Sequence, residues 1–487
     1  MSQFTWEKVD PAPGEAVAPH QRLGWGKTAG LGAQHVVAMF GATFVFPIVM
    51  GLNPNLAILM SGIATICFLL IVKGKVPSYL GTSASFVGGA TAIYTYTGEG
   101  GAGGPEDVTG AILVAGVVLA LVGLLIHILG AAAVNAVLPP VVTGAVVMLI
   151  GFNLAPVATG IYMPSDPWVA IITMTLVILM AVGLRGFFGR IAIFLGLILG
   201  YVLSWLADVV FGKTSLPIPS NPAPGPHNRV DWANVDRAEW VGFPVHTKDG
   251  LVGNQSGNPD FLQLVGWHVP SFDIVFILLV LPAVIALVAE NIGHVKAVGE
   301  MTGADLDPVM GKAVAADGVG TVIASAVGGS PTTTYAENIG VMAATRVYST
   351  AAYYVAAVVA ILLGFVPKFG ALVAATPPAV LGGITLVLYG MIGLLGAKIW
   401  KENGVDFGRP LNLVPIGAGI ILAIGDAQLK ITDDFILSGI ALGTIVVVAG
   451  YHLARLVDSG DDGTMIAVGT PGAHAEDHAA PHRHKEE

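Results

Sequence analysis

The chain has 487 residues, of which 54% are apolar and 11% charged, with a formal net charge of −10. Soluble domains carry about 25% charged residues, so the composition excludes an ordinary globular protein and fits an integral membrane protein. The charge gives no reason to expect nucleic acid as a partner. The single cysteine, Cys67, lies inside an apolar run, which leaves no disulfide framework.

In chain order, residues 1–29 are polar and contain prolines. With no short apolar core before a cleavage site, they read as a cytoplasmic N-terminal segment rather than a signal peptide. Apolar runs of roughly 17–25 residues, each able to cross the bilayer as a helix, then recur. Fourteen spans are expected, near 30–52, 55–72, 76–97, 108–130, 138–159, 167–184, 190–212, 272–293, 314–328, 333–346, 349–366, 376–396, 410–425 and 434–455. Lys73, Lys75, Arg185, Arg190, Lys296, Lys312, Arg346, Lys398, Lys401, Arg409 and Arg455 fall on one side of this layout, with Lys368 and Lys430 as minor exceptions. The loop of Glu99, Glu106 and Asp107 and the region of Asp433 and Asp434 fall on the other. Basic loops stay inside, so both termini are expected to be cytoplasmic. The connection 213–271, rich in Pro, Gly and Trp, is placed outside. The tail from 456 is polar and reads as solvated and disordered. His474, His478, His482 and His484 in it are read as tail residues rather than as a metal site.

The two groups of seven spans echo each other. Pro139-Pro140-Val141-Val142-Thr143-Gly144 opens the fifth span, and Pro377-Pro378-Ala379-Val380-Leu381-Gly382 opens the twelfth. Seven is odd, so the copies lie in opposite orientations, as in the inverted repeats of secondary transporters. A second pair interrupts the third and tenth spans: Pro77 to Ser85, and Gly328 to Tyr335. Such Gly/Ser/Thr/Pro runs are poor helix interior. Non-helical backbone survives at membrane depth only against protein or a cavity, so short extended breaks there point to a substrate site. The alternative is a pair of small-residue packing faces. The expected fold class is thus an all-α membrane protein with a 7+7 inverted repeat.

One pentapeptide occurs twice, as Ala289-Glu290-Asn291-Ile292-Gly293 and Ala336-Glu337-Asn338-Ile339-Gly340. A charge inside a bilayer costs at least about 2.5–3.5 kcal/mol, so these acids call for a function. Glu290 and His294, four apart, share a helix face and form a candidate proton relay; a structural pair at a helix end is the alternative. Glu337 follows the break of the tenth span, where a helix N-terminus favours a carboxylate; a cap that only stabilises the break is the alternative. Asn338 can donate and accept at once. Gln34 and His35 form a polar island read as a supporting network. Tyr389 fits packing or ligand contact equally. Carboxylates and free backbone N–H groups together complement a planar neutral ligand with alternating donors and acceptors, such as a nucleobase edge. An anion would be repelled.

At Gln34-His35, at Ala289 to His294, and at Glu337-Asn338-Ile339-Gly340-x4-Thr345-Arg346, the sequence resembles the nucleobase–ascorbate transporter family over about residues 25–455. Glu337 resembles the uracil branch, since purine and urate members usually open that signature with Gln. The stretches around 289–298 and 334–350 resemble bacterial pyrimidine permeases. The resemblance implies a core domain (30–130 and 272–366) that holds substrate and a gate domain (138–212 and 376–455) that moves against it. It also implies proton symport and a homodimer, with the proton as coupling ion and no other cofactor. Carried over by position, Glu290 and Glu337 bind the base, and backbone at Ala84 and Ala336 completes its edge. Tyr389 contacts the site from the gate, His294 with Glu290 serves proton coupling, and Gln34, His35 and Asn338 support them. Ala84 stands where an aromatic residue is usual and Ala336 where Gly is usual, which puts strict uracil selectivity in doubt. The expected function is uracil or related nucleobase import, with a xanthine or broad-range permease and an anion carrier of the sulfate-transporter fold as alternatives. A membrane enzyme is disfavoured because no paired His or Cys ligands lie inside the spans.

Overall fold

The computed structural model describes residues 4–12, 15–97, 101–130, 136–185, 187–217, 224–244, 266–425, 427–431 and 436–458. The tail histidines 474, 478, 482 and 484, Asp433 and Asp434, and the middle of the 213–271 connection lie outside these residues. Among the described residues, eight helices are long and apolar enough to cross a membrane: Trp25–Val49, Pro54–Ile71, Pro105–Leu129, Pro140–Ser165, Ala192–Phe211, Ile274–Thr302, Pro378–Glu402 and Gly439–Val457. A ninth is formed if Thr350–Gly364 and Pro367–Ala374, bent by 83° at their junction, count as one span. The other expected spans are built differently. Pro167–Gly183 and Pro410–Ile424 are shorter apolar helices. Asp307–Ser325 carries an acid, Asp317, in its middle. The third and tenth are strand-plus-half-helix units, described below.

Local chemistry explains where these helices begin. Proline opens those at Pro54, Pro105, Pro140, Pro167, Pro378 and Pro410, where its missing N–H has no partner to lose and its φ is already helical. Asn53 accepts from the amides of Asn55 and Leu56, and Asp166 from that of Val169. The two helices opened by the repeated Pro-Pro pack against each other through glycine. A Cβ on Gly144 would meet Gly396 O at 2.7 Å, and one on Gly151 would meet Tyr389 O at 2.5 Å. Small residues of this kind let membrane helices approach backbone to backbone.

The segments expected to be broken are extended. Leu80–Thr82 pairs antiparallel with Thr332–Thr334, with Leu80 opposite Thr334 and Thr82 opposite Thr332. All six residues are buried. A two-stranded ladder has two open edges, and an unpaired backbone group in hydrocarbon costs several kcal/mol. Threonines from two neighbouring helices cover them. Thr65 Oγ accepts from Leu80 N at 2.9 Å, and Thr321 Oγ accepts from Thr332 N at 3.2 Å while donating to Thr332 O at 2.9 Å. Ser83 N extends the ladder to Pro331 O at 2.9 Å. Gly328, at φ 81°, makes the left-handed turn into the second strand that a residue with a Cβ resists. Each strand leads into a helix start: a turn at Ala84–Phe86 continuing as Val87–Tyr94, and the half-helix Ala336–Thr345.

Both ends of the chain's mid-region are tied down. The N-terminal segment is not a free tail: Val17 is fully buried, its N–H donates to Arg346 O at 2.9 Å, and its C=O accepts from Tyr348 N at 2.8 Å. In the connection after Ala192–Phe211, Arg229 bridges Asp166 at 2.8 Å and Asp208 at 3.1 Å. Burial alone would lower the guanidinium pKa, but the hydrogen bonds and charges of the two aspartates outweigh it and hold it above its ordinary value. Further along, Gly242 N donates to Phe365 O and Lys368 N to Glu239 O.

A Cβ on Gly81 would run into the ring of Tyr335 and lie 2.7 Å from Thr43 Oγ. Gly81→Ala is therefore expected to destabilise the fold by about 1–3 kcal/mol, as overpacking does. The check is a lower melting temperature of the detergent-purified protein.

Candidate functional site

The ladder places two helix N-termini back to back. The first-turn N–H groups of a helix have no intrahelical acceptor and carry the positive end of its dipole. Ala84 starts one of these helices and Ala336 the other, with Glu337 next in line. The Pro282–Thr302 helix packs against the Ala84–Phe86 turn, the Thr332–Thr334 strand and the Ala336–Thr345 half-helix. Glu290, Ala84, and the adjacent Ala336 and Glu337 thus come from three chain segments to one place. Both glutamates are half-buried there. Tyr335, between the second strand and its helix, sends its hydroxyl to Thr82 O and locks the ladder from the side.

The asparagines of the repeated pentapeptide face the other way. Asn291 and Asn338 are both fully buried. Asn338 Oδ1 accepts from His35 Nδ1–H at 2.8 Å, and the His35 ring lies 4.4 Å from that of Tyr353. This ties the half-helix to the first span. Gln34 is half-buried and makes no side-chain hydrogen bond among the described residues.

Asn291 sits in a directed chain. Its Nδ2 donates to Asp317 Oδ2 at 2.6 Å and to Leu287 O at 2.9 Å. Its Oδ1 accepts the single hydroxyl proton of Thr334 at 3.0 Å. His294 Nδ1, 2.7 Å from Thr334 Oγ, must then be the donor in that contact. The order His294 → Thr334 → Asn291 → Asp317 follows, with every donor pointing toward the buried acid. Glu290 and His294 share a face as the spacing required, but no hydrogen bond joins them among the described residues; His294 turns to Thr334 instead.

Tyr389 is 2% exposed, on the helix packed against Pro140–Asn153 and Pro167–Gly183, and its buried hydroxyl has no hydrogen-bond partner among the described residues. No described bond links it to the glutamates. Two site residues escaped the sequence reasoning. Asp317 is 0% exposed in mid-helix, the other acid of that helix being Asp307 in its first turn, and the cost of a buried charge that singled out Glu290 applies to it equally. Thr334 had no such signal, because one hydroxyl in a Thr-rich run looks like its neighbours.

Acids held beside two interrupted spans, within a bundle of apolar helices, fit an integral membrane transporter. The comparisons agree. A family model described as the permease family matches residues 26–432. The chain is 43% identical over 446 residues to the putative pyrimidine permease RutG of Escherichia coli, covering 91% of this chain and 93% of that one. It is 35% identical over 426 residues to the uracil permease of Bacillus caldolyticus, covering 85% and 89%. The transmembrane domain of a cyanobacterial bicarbonate transporter, BicA, shares its fold at a TM-score of 0.54 and 14% identity, over 87% of this chain and 96% of that one. The chain belongs to the permease family of nucleobase–ascorbate transporters.

Thr334→Val keeps the side-chain shape but leaves His294 Nδ1–H and Asn291 Oδ1 without their partner. Each orphaned buried group costs about 1–3 kcal/mol. Both a lower melting temperature and weaker substrate uptake are expected, whereas Thr334→Ser should restore most of each.

Proposed function

We propose that the protein imports uracil or a closely related nucleobase by proton symport, alternating access as one helix group moves against the other. The observation that carries this is the meeting of Glu290 and Glu337 with two half-helix N-termini at the Leu80–Thr82/Thr332–Thr334 ladder. Carboxylates accept from ring N–H groups and first-turn amides donate to ring carbonyls, which matches a neutral imide edge. The relatives named pyrimidine and uracil permease support the same substrate class. The fold likeness to a bicarbonate transporter does not favour an anion here, because the site presents acids.

In this reading the chain makes fourteen crossings as a 7+7 inverted repeat. The helices of 30–130 and 272–366 form the core, those of 138–212 and 376–455 the gate, and both termini are cytoplasmic at the inner membrane. The paired Pro-Pro helices, the paired breaks and the paired Thr65 and Thr321 contacts support the repeat. Glu290 and Glu337 hold the base, backbone at Ala84 and Ala336 completes its edge, and Tyr389 approaches from the gate. His294 and Glu290 serve proton coupling, with Asp317 at the end of the hydrogen-bond chain. Gln34, His35 and Asn338 steady the half-helix. Proton and base binding favour each other, which makes symport a binding linkage. The working unit is a homodimer.

The test is uptake of labelled uracil into proteoliposomes. An inward proton gradient should stimulate it and a protonophore should abolish the stimulation. Glu290→Gln removes a charge-assisted hydrogen bond of about 1.5–3 kcal/mol and should weaken uracil binding roughly 10- to 100-fold. Gradient-independent uptake would exclude symport. Inert uracil, thymine and xanthine would exclude the nucleobase.

A further inference from the structure

The repeated pentapeptide does the same structural work twice. In each copy the asparagine is buried in a hydrogen-bond network, while the glutamate and the glycine, three residues apart, share another face. Gly293 is exposed and Gly340 half-buried, and a Cβ built on either would meet nothing within 4 Å. Glycine is the poorest helix former after proline, so a glycine inside a helix needs a reason. In other spans the reason is packing: a Cβ on Gly62 would meet Ala357 O at 2.5 Å, and one on Gly116 would meet Gly318 O at 3.1 Å. Packing does not explain Gly293 or Gly340.

Lipid does not explain them either. Open glycines elsewhere, such as Gly183 and Gly417, sit beside strongly exposed apolar side chains, Val182 in the first case and Val414 and Ile421 in the second. Between Leu278 and Val358 no large apolar side chain of the described residues is exposed. The open positions on the Pro282–Thr302 helix are Gly293, Lys296 and Glu300, which continue one face from Glu290 to the helix end; on the half-helix Ala343 follows Gly340 in the same way. An open face of small and charged residues inside a membrane protein is a wet one.

We propose that Gly293 and Gly340 are the clearance positions of the route between the site and the side on which Lys296 and Arg346 lie, and that their missing side chains set the width available to a passing planar base. The route rests on the geometry above; the identity of the passenger rests on the nucleobase assignment.

The two are tested separately. In a Cys67→Ala background, Gly293→Cys and Gly340→Cys should react with a membrane-impermeant thiol reagent added from the Lys296 side and not from the other, while Ala360→Cys, at a fully buried position, should not react. Gly293→Ala and Gly340→Ala should melt no lower than the parent and slow uptake less than the leucine variants do. Gly293→Leu and Gly340→Leu should keep uracil binding in detergent but slow uptake by roughly tenfold or more, as blocked release does. Unreactive cysteines, alanine variants that melt well below the parent, or leucine variants that transport at the parental rate would overturn the route. A parent protein that neither binds nor transports uracil would overturn the nucleobase assignment, while the labelling and melting results would still decide the route.

Discussion

Three residue pairs of antiparallel strand, Leu80–Thr82 against Thr332–Thr334, hold the site together. Breaking two spans frees backbone groups that hydrocarbon cannot satisfy. The ladder pairs them with each other, and Thr65 and Thr321 take part of what remains at the edges. The gain is a fixed point from which two helices start. Their first-turn amides have no intrahelical acceptor, which leaves them available as the ligand donors of the proposed site, and the positive ends of their dipoles favour nearby carboxylates. Without the ladder, the third and tenth spans would have no reason to bring Ala84 and Ala336 together.

The same five letters serve two positions on this frame. Asn291 and Asn338 turn inward and bind the frame to other spans through Asp317, Thr334 and His35. Glu290 and Glu337, half-buried, share another face with the glycines, where an added Cβ would meet nothing within 4 Å. The copies lie in helices that pack together in one half of the chain, so they are not the proposed inverted repeat, which rests on the breaks and the Pro-Pro helices. What distinguishes the copies is context. Glu290 is on a long helix beside a histidine that heads a chain to a buried acid, whereas Glu337 stands in the first turn of a half-helix.

Much of this was legible in the residues because membrane physics leaves a strong trace. Apolar runs mark helices, and Gly328-Gly329-Ser330-Pro331 cannot continue one, so the broken segments fell where expected. Glu290 and Glu337 stood out because charge is costly in lipid. The lateral partners were not legible. Nothing in the sequence aims His294 at Thr334 rather than at Glu290, because the choice depends on a strand from another span. Thr65 and Thr321 are ordinary threonines until the ladder edge lies beside them. Val17 reads as part of a polar tail, yet it is fully buried against the end of the Glu337-to-Arg346 signature. Asp317 was visible by the same cost argument as Glu290, and only its partner Asn291 needed the fold.

In the proposed mechanism a neutral base binds where the two half-helices start, held by both glutamates. An experimentally determined structure of the protein with uracil bound would show whether it does. The expected result is density for the ring between Ala84, Glu290 and Glu337, with both carboxylates within hydrogen-bond distance, about 2.7–3.2 Å, of base atoms. Uracil bound elsewhere, or at that place without contact to either glutamate, would contradict it.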